Sequence, residues 1–169
     1  MADTFVEVLI ARQTPAYAPI LKIGTIVLAV VSFLLGLINW IFLLIFVALI
    51  IVYVWVFPKL NVEYEYTYLG DQLNVDRIFN RSSRKKAGEY PMDKIEVIAL
   101  KNSSQIKPML ENPKSGAKIV DYTSHMDGAA VYAFIYSGKE GRQIVLFEPN
   151  EKLLNAMKYT SPRKVYINC

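Results

Sequence analysis

Four cations fall within six consecutive positions, Arg81, Arg84, Lys85 and Lys86, in the run Arg-Ser-Ser-Arg-Lys-Lys. The chemistry of such a cluster is attraction to anions. Beside an anionic leaflet each well-placed cation contributes about 1 kcal/mol, so the four are the candidate contact for lipid headgroups or for an acidic protein partner. A solvated loop is the other reading of the same residues. His125, the only histidine, has Asp127 two positions on. A metal site needs three or four ligands, and neither a second histidine nor a cysteine pair completes one; a polar loop is the plainer reading. Glu63 and Glu65 share one face of an extended segment, as a carboxylate pair for acid–base work would. An exposed strand face with scattered charge has the same spacing. Gly-x-Ser-x-Gly, a Walker-type loop, His-Glu-x-x-His and Cys-x-x-Cys are all absent. No catalytic, cofactor-binding or metal-binding residue is therefore assigned, no cofactor is expected, and the chain reads as non-enzymatic. The single cysteine, Cys169, closes the sequence. It is expected to be a free thiol, with no disulfide framework and without the Cys-a-a-X context of prenylation.

These residues are positioned by two unlike halves of the chain. From Ile23 to Phe57 there is no charged residue, and Thr25, Ser32 and Asn39 are nearly the only polar interruptions. About 20 apolar residues already span a bilayer, so this run is too long for one crossing and suits two. Its middle, Gly36-Leu37-Ile38-Asn39-Trp40, offers a flexible glycine, a turn-tolerant asparagine and a tryptophan suited to the membrane interface. The spacing predicts a helical hairpin, roughly Pro19–Leu37 and Asn39–Phe57. Arg12 and Lys22 precede it and Lys59 follows, while its turn is uncharged. The positive-inside rule then places both ends, and both termini, in the cytoplasm of a plasma-membrane protein. No ionisable residue lies inside the spans, which argues against an ion or proton path through them. The start lacks the basic region of a cleavable signal peptide.

Before the hairpin, Thr4 and Glu7 stand at capping-box spacing, with Phe5, Val8 and Leu9 able to share a face and Pro15 ending the segment. This predicts a short interfacial helix or a frayed terminus. After the hairpin the period changes to two. Val62, Tyr64, Tyr66 and Tyr68 line one face of a strand, a core stripe rather than a ligand box. Gly70-Asp71 turns into a second strand at Gln72–Asn80, and the basic run 81–86 follows as a connection. Further strands are expected at Ala87–Tyr90, Lys94–Lys101, Ala117–Thr123, Ala129–Ser137 and Gln143–Glu148. Residues 102–116 are irregular, with one helical turn within Ile106–Glu111. Asn150 caps a helix over Glu151–Tyr159, and Val165–Ile167 forms a last strand or a tail.

Six or seven short strands followed by one amphipathic helix is the order of a pleckstrin-homology (PH)-like barrel. The stretch Val62–Ile98, with its aromatic strand, Gly-Asp turn and Tyr90-Pro91-Met92-Asp93-Lys94-Ile95 step, resembles bacterial PH-like domains tethered to membrane helices. The whole chain is similar to small two-span proteins of Gram-positive anaerobes, grouped as a domain of unknown function. The resemblance implies an α+β membrane protein, in which an N-terminal transmembrane helical hairpin is followed by a PH-like antiparallel β-barrel or sandwich with a C-terminal helix. It divides the chain into an N-terminal segment (1–18), the hairpin (19–58) and a cytosolic PH-like domain (59–169). Phosphoinositide-binding PH domains carry basic residues in the first hairpin loop. Here that loop is Gly70-Asp71, so specific inositol-phosphate recognition is not implied. The net charge of +4 is too small to argue for nucleic acid. The expected partners are the bilayer and a protein, whether a second copy or another chain. The expected role is a membrane-anchored scaffold, with an anionic-lipid sensor or an accessory subunit of a transporter or envelope enzyme as rivals.

Overall fold

The computed structural model describes residues 5–112, 116–139 and 141–167; the expectations for Thr4 and Cys169 lie outside them. The chain opens not with a helix but with strand β1 (Val6–Ala11), antiparallel to β2 (Val62–Leu69) in a register that runs from Val6↔Tyr68 to Ala11↔Glu63. The interfacial helix is thus corrected. Val6, Val8 and Ile10 are half-buried against the core, while Glu7, Leu9 and Ala11 face outward. Such β-branched alternation favours a strand once a partner is present, and the partner arrives only after the hairpin.

Helices α1 (Ala18–Gly36) and α2 (Ile41–Val56) form that hairpin, and a 3-10 turn over Phe57–Leu60 carries α2 on to the domain. Pro19 in the first turn of α1 needs no hydrogen-bond partner there. In the connecting turn the Asn39 side chain accepts a hydrogen bond from the Ile41 amide at 3.1 Å. Gly36 is required by close approach, since a Cβ there would lie 2.6 Å from Leu43 Cδ2. At 1.5 Å per residue α1 is about 28 Å long, enough for a hydrocarbon core. Helix α1, and α2 taken together with the 3-10 turn as far as Leu60, are long and apolar enough to cross a membrane.

The rest comprises two four-stranded sheets. The first has the order β1-β2-β3-β4, all antiparallel, with β3 at Gln72–Phe79 and β4 at Ser83–Pro91. The second has the order β5-β7-β8-β6, from Ile95–Leu100, Tyr132–Gly138, Gly141–Phe147 and Lys118–Asp121. Its β6 runs parallel to β8. The two sheets are not closed into one barrel. A bridge from Val165 to Ile98 extends along β5. Between the sheets lies the main core, with Tyr64, Tyr66, Tyr68, Phe134 and Phe147 all at most 1% exposed. Helix α4 (Glu151–Thr160) contributes Leu153, Leu154 and Met157 to it, and the Asn150 side chain caps its start by accepting from the Leu153 amide at 2.8 Å. A smaller apolar cluster lies on the other face of the second sheet. There the short helix α3 (Lys107–Leu110) brings Met109 and Leu110 against Ala99, Ala133, Ile135 and Ile144. With both faces covered, β7 reads as a continuous apolar run rather than an alternating one.

Candidate functional site

The basic run is not a loop. Arg81 sits in a left-handed turn with Asn80 (φ 54° and 48°), and Arg84, Lys85 and Lys86 lie on the first residues of β4. The β2-β3-β4 pairing brings Arg81 and Arg84 against carboxylates of neighbouring strands, and Lys86 finds one on β4 itself. Arg81 Nε is 3.0 Å from Glu63, Arg84 lies 2.5 Å from Glu65 and 3.7 Å from Asp76, and Lys86 pairs with Glu89. Glu65 is only 5% exposed. Burial raises its carboxyl above the usual range and the Arg84 guanidinium opposes that shift. The Glu63 and Glu65 pair is thereby explained as the acidic half of a cross-strand ion ladder, and the lipid or partner contact expected at Arg81, Arg84 and Lys86 meets charges already matched within the fold. Lys85 is exposed and lies opposite Arg77 in the register.

The other singled-out residues take structural places. Tyr66 Oη donates to the Tyr122 carbonyl at 2.7 Å and accepts from the Glu148 amide; Tyr122 Oη donates to the Ala87 carbonyl at 2.9 Å and lies 3.0 Å from Tyr90 Oη. This network satisfies the hydroxyls of Tyr66, Tyr90 and Tyr122, while that of Tyr68 is buried without a hydrogen-bond partner among the described residues; burial pushes Tyr66 and Tyr90 far above the ordinary tyrosine range. His125, at φ 59°, places Nε2 3.2 Å from Arg12 Nη2 and 3.5 Å from Asp121. Among the described residues no group of three or more His, Cys, Asp or Glu could hold a metal ion.

What the fold does assemble is a collar where the hairpin meets the first sheet. Three clefts of about 550, 330 and 710 Å³ adjoin there, and Thr14 lines all three. Lys22 enters the first, Arg12 and Arg81 the second, and Arg12, Lys59 and His125 the third, while Glu63 is the sole carboxylate among the lining residues. Lys22 Nζ lies over the Tyr53 ring at 5.9 Å, and Arg12 lies within 3.4 Å of Tyr64 Oη. The collar is held by backbone bonds from the Arg12 amide to the Val62 carbonyl (2.9 Å) and from Gln13 to Ser124 (2.7 Å). Sequence reasoning used Arg12, Lys22 and Lys59 to orient the hairpin and did not bring them together. Their only linear signal was their position at the hairpin's two ends.

Two sheets, a C-terminal helix across the first of them and a preceding apolar hairpin agree with a comparison against family models. The model described as Bacterial PH-like domain (DUF6106) matches residues 2–167. The chain belongs to this family. That match takes in the hairpin and β1 together with the sheets. Searches of curated proteins and of solved structures found no match.

Proposed function

We propose that this protein is an integral plasma-membrane protein whose PH-like domain acts as a non-catalytic interaction or scaffold module at the cytosolic surface. The observation that carries the reading is the insertion of the hairpin between two paired strands. Because β1 and β2 are hydrogen-bonded neighbours, both ends of the hairpin return to one folded body. A two-helix excursion that crosses the bilayer and comes back meets that constraint. Arg12, Lys22 and Lys59 at its base and the uncharged turn at its tip support the cytosolic side for the domain. Support for a non-catalytic role comes from the interior, where the hydroxyls of Tyr66, Tyr90 and Tyr122 serve one another and the backbone, and the buried carboxylate Glu65 is matched by Arg84. Partners are then the bilayer and a protein bound at its surface, a second copy included. Protease treatment of spheroplasts and of inverted vesicles tests the reading. The β domain should be digested only in inverted vesicles; digestion from outside intact spheroplasts overturns it.

A further inference from the structure

We propose that the collar seats the phosphate of an anionic glycerophospholipid of the cytosolic leaflet, with Arg12, Lys22 and Lys59 as its cations; this rests on the membrane reading above. The first observation is depth. Lys22 lies just inside the start of α1, and Lys59 just beyond the end of α2. Residues at those places stand where spanning helices leave the hydrocarbon, which is the level of headgroup phosphates. The second is charge. Arg12, Lys22, Lys59 and Arg81 line the clefts against Glu63 alone, and Glu63 is taken by Arg81. Among the described residues Arg12, Lys22 and Lys59 make no ion pair with a carboxylate. Arg12 offers the planar fork that suits a phosphate, and the Thr14 hydroxyl and the Asn61 and Asn80 amides line the same space.

The third observation distinguishes a lipid from a free anion. Tyr53 lines both the collar and an apolar groove between α1 and α2, about 320 Å³, walled by Ile26, Ala29, Val30, Phe46 and Ile50. A headgroup seat that shares a wall with an apolar groove fits an amphiphile, and a soluble phosphate would leave the groove unused.

The test uses the full chain in detergent micelles, equilibrated with equimolar phosphatidylglycerol and phosphatidylcholine of identical acyl chains, with retained lipid counted by native mass spectrometry. Phosphatidylglycerol should be retained in preference. Arg12→Gln, Lys22→Gln and Lys59→Gln should each lower that preference about fivefold, the equivalent of ~1 kcal/mol per cation. A Lys85→Gln/Lys86→Gln variant should leave it unchanged. Equal retention of the two lipids overturns the proposal, as does an equal loss in the Lys85→Gln/Lys86→Gln variant. Displacement of phosphatidylglycerol by inorganic phosphate would assign the seat to a soluble anion and overturn it too. Lys22→Gln, an exposed helical change, keeps the test valid if Arg12→Gln disturbs folding. Alkaline carbonate washing of membranes separates the two failures, because a protein that washes off defeats the membrane reading itself, whereas one that stays embedded without lipid preference defeats only the collar.

Discussion

Along β2, Tyr64, Tyr66 and Tyr68 are at most 1% exposed, whereas α2, the more apolar segment, leaves no residue buried within the chain. Both are hydrophobic surfaces and both are regular. The strand buries its stripe because a second sheet and α4 face it; the helices have only each other, through contacts such as Phe33 on Phe46 at 5.4 Å. Soluble monomers rarely expose apolar patches beyond a few hundred Å², and two whole helices exceed that by far. The difference teaches that the fold covers one apolar surface and leaves the other outside, and on the membrane reading proposed above each region can be attacked through its own surroundings.

The strongest separation is expected from alkali. Burial raises the Tyr66 and Tyr90 hydroxyls far above their ordinary range, and Tyr68 and Tyr122 in the same direction. Unfolded tyrosines lose their protons near about pH 10 while these folded ones keep theirs, so stability is fully present below that pH and falls as pH rises above it. For Tyr66 and Tyr90 together the slope approaches about 2.7 kcal/mol per pH unit. Near-UV tyrosine dichroism of the full chain in micelles should collapse above about pH 10, while the fluorescence of Trp40 and Trp55, both at the hairpin, persists. Simultaneous loss of both signals would show that the regions melt as one.

Phe134→Ala comes next. Phe134 is fully buried and packs edge-on against Tyr90 and Phe147 at 4.9 and 5.2 Å, so its truncation should cost about 3–5 kcal/mol in denaturant titration. In the hairpin the matching injury is a charge rather than a cavity. Val47→Arg, on an outward face of α2, should lower membrane integration by about 2.5–3.5 kcal/mol, read as the fraction resisting carbonate extraction. Arg84→Ala should cost about 1–3 kcal/mol of domain stability by leaving Glu65 buried without its partner. The smallest effect sharpens the comparison most. Leu9, on the outer face of β1, is as exposed as Val47 (57% and 52%), yet Leu9→Arg should shift stability by no more than about 0.5 kcal/mol, because its face meets water. Equal penalties at the two positions would erase the distinction between the solvents.

Much of the fold was legible. The uncharged run Ile23–Phe57 and the tyrosine alternation of β2 are local patterns, and the Asn150 cap of α4 is read from adjacent residues. β1 was not legible as a strand, because Thr4 and Glu7 imitate a capping box and the β2 partner lies beyond the hairpin. Nor was β4, whose first residues are polar and charged and become a strand only by pairing with β3. The parallel β6 on β8 and the separation of the sheets depend on crossovers that no periodicity records. For the candidate site the balance is reversed. Arg81, Arg84, Lys85 and Lys86 were conspicuous because they are adjacent, but their adjacency says nothing about the carboxylates that strand register sets beside them.

The sequence by itself determined where an uncharged apolar run gives way to alternating strands, since hydrophobicity and its period add up over neighbouring residues. Only the tertiary structure decided which charges are free. Register sets Glu63 against Arg81 and Glu65 against Arg84, while the pairing of β1 with β2 gathers Arg12, Lys22 and Lys59 at the base of the hairpin. Coulomb attraction acts over a few ångströms of space, and in this protein those ångströms are set by strands joined across a hairpin.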